Sequence, residues 1–249
     1  MKTNRIWRLL FVLWGVAFWS SLMFSQPEQP GRPQEAGPAD AAVSRSKTDI
    51  QPTLTLRVYN YAHLDADVLT SAEHVAQTIL NNAGAVTVWV DCPVSSADPA
   101  RYPGCQKGMQ TTDFVIRLLS ASMASRLPAG NEPFGFAQYC PDSERGCVVN
   151  IFCAKIDELA WRAGGRTARI LGHTMAHELG HLLLGDNAHS PSGIMRGVWL
   201  PEDLKFMRWG ELTFTLRQSD QIRNSLLRRA RLGVSSGPET ASQRNSSPR

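Results

Sequence analysis

An α+β domain is what this 249-residue sequence predicts. Short segments alternate apolar and polar residues as strands do, and longer ones repeat apolar residues near every 3.6 positions. The strand-like segments mostly follow one another rather than taking turns with helices, giving the order β-α-β-β-β-β-α-loop-α.

Thr53 to Tyr61 alternates Leu54, Leu56 and Val58 with Thr55, Arg57 and Tyr59, so it reads as a strand. Asp65 to Asn82 repeats Val68, Leu69, Ala72, Val75, Ala76, Ile79 and Leu80 before an Asn-Asn and Gly84 stop, so it reads as a helix. Ala85 to Asp91 is β-branched and alternating. Residues 92–112 read as a long loop, and Asp113 to Leu119 as the next strand. Phe134 to Tyr139 and Val148 to Phe152 flank a polar Cys-Pro-Asp-Ser-Glu-Arg-Gly-Cys turn, which predicts a hairpin. A helix is expected over about 166–184, entered through Gly164-Gly165 and stopped by Gly185. A Pro/Gly/Ser loop follows at 190–197. A last helix is expected over about 220–231, with Ser219 as its N-cap. Its arginines (Arg223, Arg228, Arg229, Arg231) read as a solvated face, with contact to an anionic membrane as the alternative.

Composition narrows the function classes. Apolar residues make up 43% and charged residues 19%, enough to bury a core. Only one long apolar run exists, which excludes a multi-span membrane protein. Net charge is +4, but residues 51–216 carry 13 basic and 16 acidic groups, so the body is acidic and nucleic acid is not an expected partner. Residues 1–25 join Lys2, Arg5 and Arg8 to an apolar run from Leu9 to Phe24, the layout of a signal peptide or a membrane anchor. Either would export the remainder, with a membrane tether through residues 6–25 in the second case. Residues 26–50 read as a disordered linker, 51–232 as the folded domain and 233–249 as a loose tail. An exported chain can form disulfides. Closeness in sequence favours Cys92–Cys105 and Cys140–Cys147, leaving Cys153 as a buried, inert thiol.

The chemistry concentrates in Gly172-His-Thr-Met-Ala-His177-Glu178-Leu-Gly-His181, continuing through Gly185 and His189 to Met195. His177 and His181 are separated by about 400° of helix rotation, so both rings leave one face about 6 Å apart at their base. Two imidazoles so placed can share one Zn²⁺. Glu178 is turned about 100° from His177. It borders the site without filling a ligand position, and can take a proton from water that a bound zinc acidifies. Catalytic zinc keeps a third protein ligand and one open position. His189, beyond the Gly185 turn, is the first candidate. Asp186 and Glu202 are the alternatives. His173, about 12 Å along the helix axis from His181, reads as a packed histidine.

His177-Glu178-Leu-Gly-His181, then Gly185, His189-Ser190 and Gly-Ile-Met195, resembles the metzincin clan of zinc metalloendopeptidases, most of all the matrix-metalloproteinase and archaemetzincin type. The resemblance implies a twisted mixed sheet, an active-site helix, a methionine-containing turn beneath the zinc and a C-terminal helix. It implies His177, His181 and His189 as metal ligands, Glu178 as general base and Met195 as the turn methionine, whose other reading is a core methionine. It also implies that Phe134 to Tyr139 is an edge strand that pairs with extended substrate. Two departures stand out: the third histidine comes eight residues after the second instead of six, and Gly197 stands where the family turn carries tyrosine.

The function expected is peptide-bond hydrolysis by zinc-activated water, without a covalent intermediate, by a monomer acting on protein or peptide. The rivals are a zinc-stabilised binding module that has lost activity, and a zinc amidase acting on non-protein amides.

Overall fold

In the computed structural model, residues 53–95, 98–127, 134–138, 147–185 and 188–235 are described. The signal or anchor at 1–25, the linker at 26–50, Cys140, Asp186 and the tail beyond Ser235 lie outside the described residues. No helix among those described is long and apolar enough to cross a membrane.

The elements run β1 (Thr53–Asn60), α1 (Ala66–Asn82), β2 (Val86–Cys92), α2 (Pro103–Gln106), β3 (Asp113–Leu119), α3 (Ala121–Ala124), β4 (Gly135–Gln138), β5 (Cys147–Phe152), α4 (Cys153–Ala163), α5 (Thr167–Leu184), α6 (Pro201–Trp209) and α7 (Leu216–Ser235). They form an α+β fold around one mixed sheet of order β2-β1-β3-β5-β4. β2, β1, β3 and β5 are parallel, and β4 closes one edge antiparallel to β5, with Gly135 opposite Ile151 and Gln138 opposite Val148. One face of the sheet carries the core: Leu54, Leu56, Phe114, Ile116, Val149 and Ile151, at alternating positions of β1, β3 and β5, are all fully buried, whereas Val86 and Val88 of the edge strand β2 are exposed.

The predicted strands, the first helix and the hairpin are all present. Four helical pieces were not predicted from periodicity; one of them, α3, is a single short turn after β3 whose Ser120 side chain accepts from Met123 N. α2 breaks up the expected 92–112 loop. α4 begins directly at Cys153 and buries Cys153, Ile156 and Ala160. α6 buries only Asp203 and Met207. The last helix starts earlier than expected because Thr215, not Ser219, caps it. Thr215 Oγ1 accepts from Gln218 N at 3.3 Å, and Gln218 Oε1 accepts from Thr215 N at 2.9 Å, a reciprocal capping box. Its arginines are not all solvated either. Arg229 donates to Leu182 O and Thr111 O and covers the Phe114 ring, binding α7 to α5 and to the start of β3.

The disulfide pairing is half as expected. Cys92 and Cys105 are bonded, pinning the long loop to the end of β2. Cys147, however, carries a free buried thiol at the start of β5, so the Cys140–Cys147 pairing fails. The position belongs to the sheet interior rather than to the polar turn. Cys153 is also free and buried, and burial pushes its thiol up to about 12, which keeps it inert.

α5 crosses α1 at very short range. A Cβ on Gly172 would lie 2.5 Å from Ala72 O and 2.6 Å from Val75 Cβ, so only glycine lets the two helices meet there. This contact fixes the height of α5 over the sheet, and hence the position of everything the helix carries.

Glu73 on α1 faces Asp91 on β2. Burial first, then the Asp91 charge and its hydrogen bond, raise the Glu73 carboxyl to about 8. A carboxyl held protonated in the fold contributes stability fully below its unfolded value and loses it as pH rises through the folded one. Thermal stability is therefore expected to fall between about pH 4.5 and pH 8, and Glu73→Gln should flatten that slope. An unchanged pH profile in the variant would refute the assignment.

Candidate metal centre

α5 is an 18-residue helix that buries almost its whole length, from Ile170 through Leu183 except His181. His177 and His181, one turn apart, point to the same side. The chain leaves α5 at Gly185 (φ +86), whose positive φ suits the turn, and returns so that His189 joins them. The ligand-capable atoms of His177, His181 and His189 all lie within 4.8 Å of one another. The ring centroids stand 4.9, 5.5 and 4.8 Å apart in the order 177–181, 177–189 and 181–189. Of the alternatives, Glu202 is in the first turn of α6 and is not in the cluster, while Asp186 lies outside the described residues.

The donor set fits a metal. His177 Nε2 and His181 Nε2 approach to 3.1 Å. Two nitrogens on one tetrahedral zinc, at bonds of about 2.0–2.1 Å, sit about 3.3 Å apart, so this pair is already close to that spacing. His177 is oriented from behind: its Nδ1 lies 2.7 Å from Ile194 O, a contact that puts the proton on Nδ1 and leaves Nε2 as the donor atom. Trp199 Nε1 donates to the same carbonyl at 3.1 Å and sets its ring edge-on to His177. Burial, and then the neighbouring His189, lower His181 to about 4, so its imidazole is neutral at physiological pH, the form that binds metals. His189 is the exposed member, on the loop that follows α5.

His173 takes no part. It is buried one turn earlier, its Nδ1 2.8 Å from Arg169 O, and burial lowers it to about 4.

The loop beneath α5 explains several sequence features. Ser190 N donates to Met195 O at 2.9 Å, closing a turn, and Ile194 N donates to Thr213 O. Met195 is fully buried, and a Cβ on Gly180 would lie 2.5 Å from its sulfur, so Gly180 is what lets the methionine seat against α5 between the two histidines. A Cβ at Gly197 would lie 3.1 Å from His189 Nδ1. Gly197 is thus where the His189 ring packs.

Glu178 is buried and lines a small cleft with Phe134, Thr174, His177, Arg196, Gly197 and Trp199. The cleft holds about 20 Å³, enough for about one water. Gly135 of β4 passes directly over it, since a Cβ there would lie 3.4 Å from Glu178 Oε1. Phe134 stacks on Trp199 at 5.8 Å and forms the wall. Arg196 brings a cation to the same cleft, its Nε 3.1 Å from Asp203 Oδ2, which also accepts from Leu200 N. Sequence reasoning missed Arg196, Trp199 and Thr174. Thr174 stands one turn before Glu178 on α5, and Arg196 directly follows Met195, which are the signals that could have found them.

No protein-family model matches the chain. No curated protein matches it either. Among solved structures, the fold is similar to the crystal structure of archaemetzincin from Methanopyrus kandleri, with 20% sequence identity and a TM-score of 0.42, over 70% of this chain and 96% of that one.

Proposed function

We propose that the chain is a zinc-dependent metallopeptidase that cleaves extended polypeptides. The observation that carries this reading is the convergence of three imidazoles beside a buried carboxylate at the edge of the sheet. His177, His181 and His189 would hold the ion, leaving a coordination position open. Zinc, when bound, supplies Lewis acidity that brings the pKa of water towards about 7 and polarises a carbonyl.

The remaining work falls to the chain itself. Glu178 takes the proton from the attacking water and delivers it to the leaving amine. Arg196, held by Asp203, offers a positive charge where the carbonyl oxygen becomes anionic, the task left open by the missing tyrosine. β4 borders the cleft at an edge of the sheet, and a peptide pairing with it through main-chain hydrogen bonds would lie across Glu178. Such pairing favours polypeptide over a compact non-protein amide, and Glu178 favours an enzyme over a binding module. We further propose that the protein is exported, secreted or held by a membrane anchor, on the strength of the basic and apolar start of the sequence.

The test is a side-by-side panel: an unfolded protein, a peptide library and non-peptide amides, each with and without a chelator. Cleavage confined to the polypeptides and abolished by the chelator supports the reading. Turnover of the non-peptide amides alone favours the amidase, and no turnover of any substrate favours the binding module.

A further inference from the structure

A second site lies at the other end of α5. Where α4 turns into α5 and α6 packs alongside, a cavity of about 380 Å³ opens to solvent. Arg166 and His177 are separated by about 16 Å of helix rise, so this cavity is distinct from the histidine cluster. Its size falls in the range of small-ligand sites, about 300–1,000 Å³.

Its lining is one-sided in charge. Arg166, Arg169, Lys205 and Arg208 face it, and no carboxylate does. Among the described residues none of the four forms a salt bridge. The acids on these elements are placed otherwise: Glu158 pairs with Arg162, Asp203 pairs with Arg196, Asp157 accepts from Thr167 Oγ1, and Glu202 is exposed outside the lining. The floor is apolar, formed by Ile170, Leu204 and Met207.

The surroundings supply the second observation. Trp161 at the end of α4 is 84% exposed, Trp209 at the end of α6 is 66% exposed, and Phe206 packs edge-on against Trp209. Each lies within two residues of a residue that lines the cavity. Large aromatics this exposed cost solvation and mark a surface that meets something apolar. Tryptophan beside arginine and lysine is the combination favoured at the headgroup level of a bilayer, where the ring is half apolar and the cations meet phosphate.

We propose that this face docks on an anionic phospholipid bilayer, with a lipid phosphate held among Arg166, Arg169, Lys205 and Arg208 and with Trp161, Phe206 and Trp209 in the interface. The phosphodiester's single negative charge is met by the nearest of the four cations, the others face neighbouring anionic headgroups, the apolar floor accepts the glyceryl end of the lipid, and the aromatic rings sit beside it. Docking would orient the domain on a membrane independently of its catalytic reading.

The experiment is amide hydrogen exchange on the full-length chain with neutral phosphatidylcholine vesicles and with vesicles containing phosphatidylglycerol. Any hold exerted by the apolar segment 9–24 is common to both vesicle types, so only the charge-dependent difference is read. Exchange in 158–169 and 201–210 should slow at least about fivefold on the anionic vesicles, the factor that roughly 1 kcal/mol from a single one of the four surface cations supplies. The slowing should vanish in 0.5 M salt, on the order of a few ångströms of screening length. Lys205→Gln with Arg208→Gln should abolish it while exchange in β1 and β3 stays unchanged, and Trp161→Ser with Trp209→Ser should reduce it. Equal exchange on the two vesicle types, or slowing that persists in the charge variant, overturns the proposal.

Discussion

Glu178→Gln is expected to retain zinc and to lose peptidase activity by about 10²–10⁴-fold, the range that positioned general bases contribute. The substitution keeps the side chain's shape in the cleft under Gly135, but removes the group that can accept a proton. The carboxylate is not in the imidazole cluster, so metal content should match wild type. Steady-state cleavage of an unfolded protein, measured beside the zinc content of the same preparation, checks both halves. Loss of zinc together with activity would make Glu178 a ligand or a structural residue, and full activity would remove it from the mechanism.

The second large effect is expected from the histidines, and it should be graded. His181→Ala should abolish stoichiometric zinc, because two donors from His177 and His189 cannot complete a catalytic site. His189→Ala should likewise lose stoichiometric zinc, but leave the fold intact, because His189 is exposed on a loop and is not part of the core. His177→Ala removes a ring that is buried and bonded to Ile194 O, so it should cost both metal and thermal stability. Metal titration and melting curves on the three variants separate these outcomes. Equal zinc affinity in wild type and His189→Ala would shift the third-ligand role to another residue, with Asp186 the first to test.

Much of this was legible in the sequence because it is local. The spacing of His177 and His181 and the Gly185 stop act within one or two helical turns, whereas the cap of the last helix is Thr215 instead of the expected Ser219. The five strands announced themselves through alternation and β-branched residues, and the hairpin through its polar turn. What escaped is non-local or weakly patterned. α6 buries only Asp203 and Met207, so no apolar stripe marks it, although Pro201 at its first position and Gly210 past its end are start and stop signals. α4 follows β5 with no loop between them, so its apolar residues merged with those of the strand. Cys147 looked like half of a loop disulfide because its neighbours in sequence are polar, whereas the sheet draws it into the interior.

Two features of the loop after α5 become physical only in the structure: α5 continues to Leu184 before Gly185 turns the chain, and the His189 ring packs where a side chain at Gly197 would start. Met195 could be placed under the helix from its position in the motif, but the requirement for Gly180 above it becomes visible only when the two segments meet.

The central claim is that three imidazoles hold one zinc with a coordination position left open. X-ray absorption at the zinc edge of the full-length, zinc-loaded chain tests it most directly. The account predicts one zinc per chain with three nitrogen scatterers and one exchangeable oxygen at about 2.0–2.1 Å. A sulfur scatterer, a fourth imidazole, or a chain that takes up no zinc would contradict it.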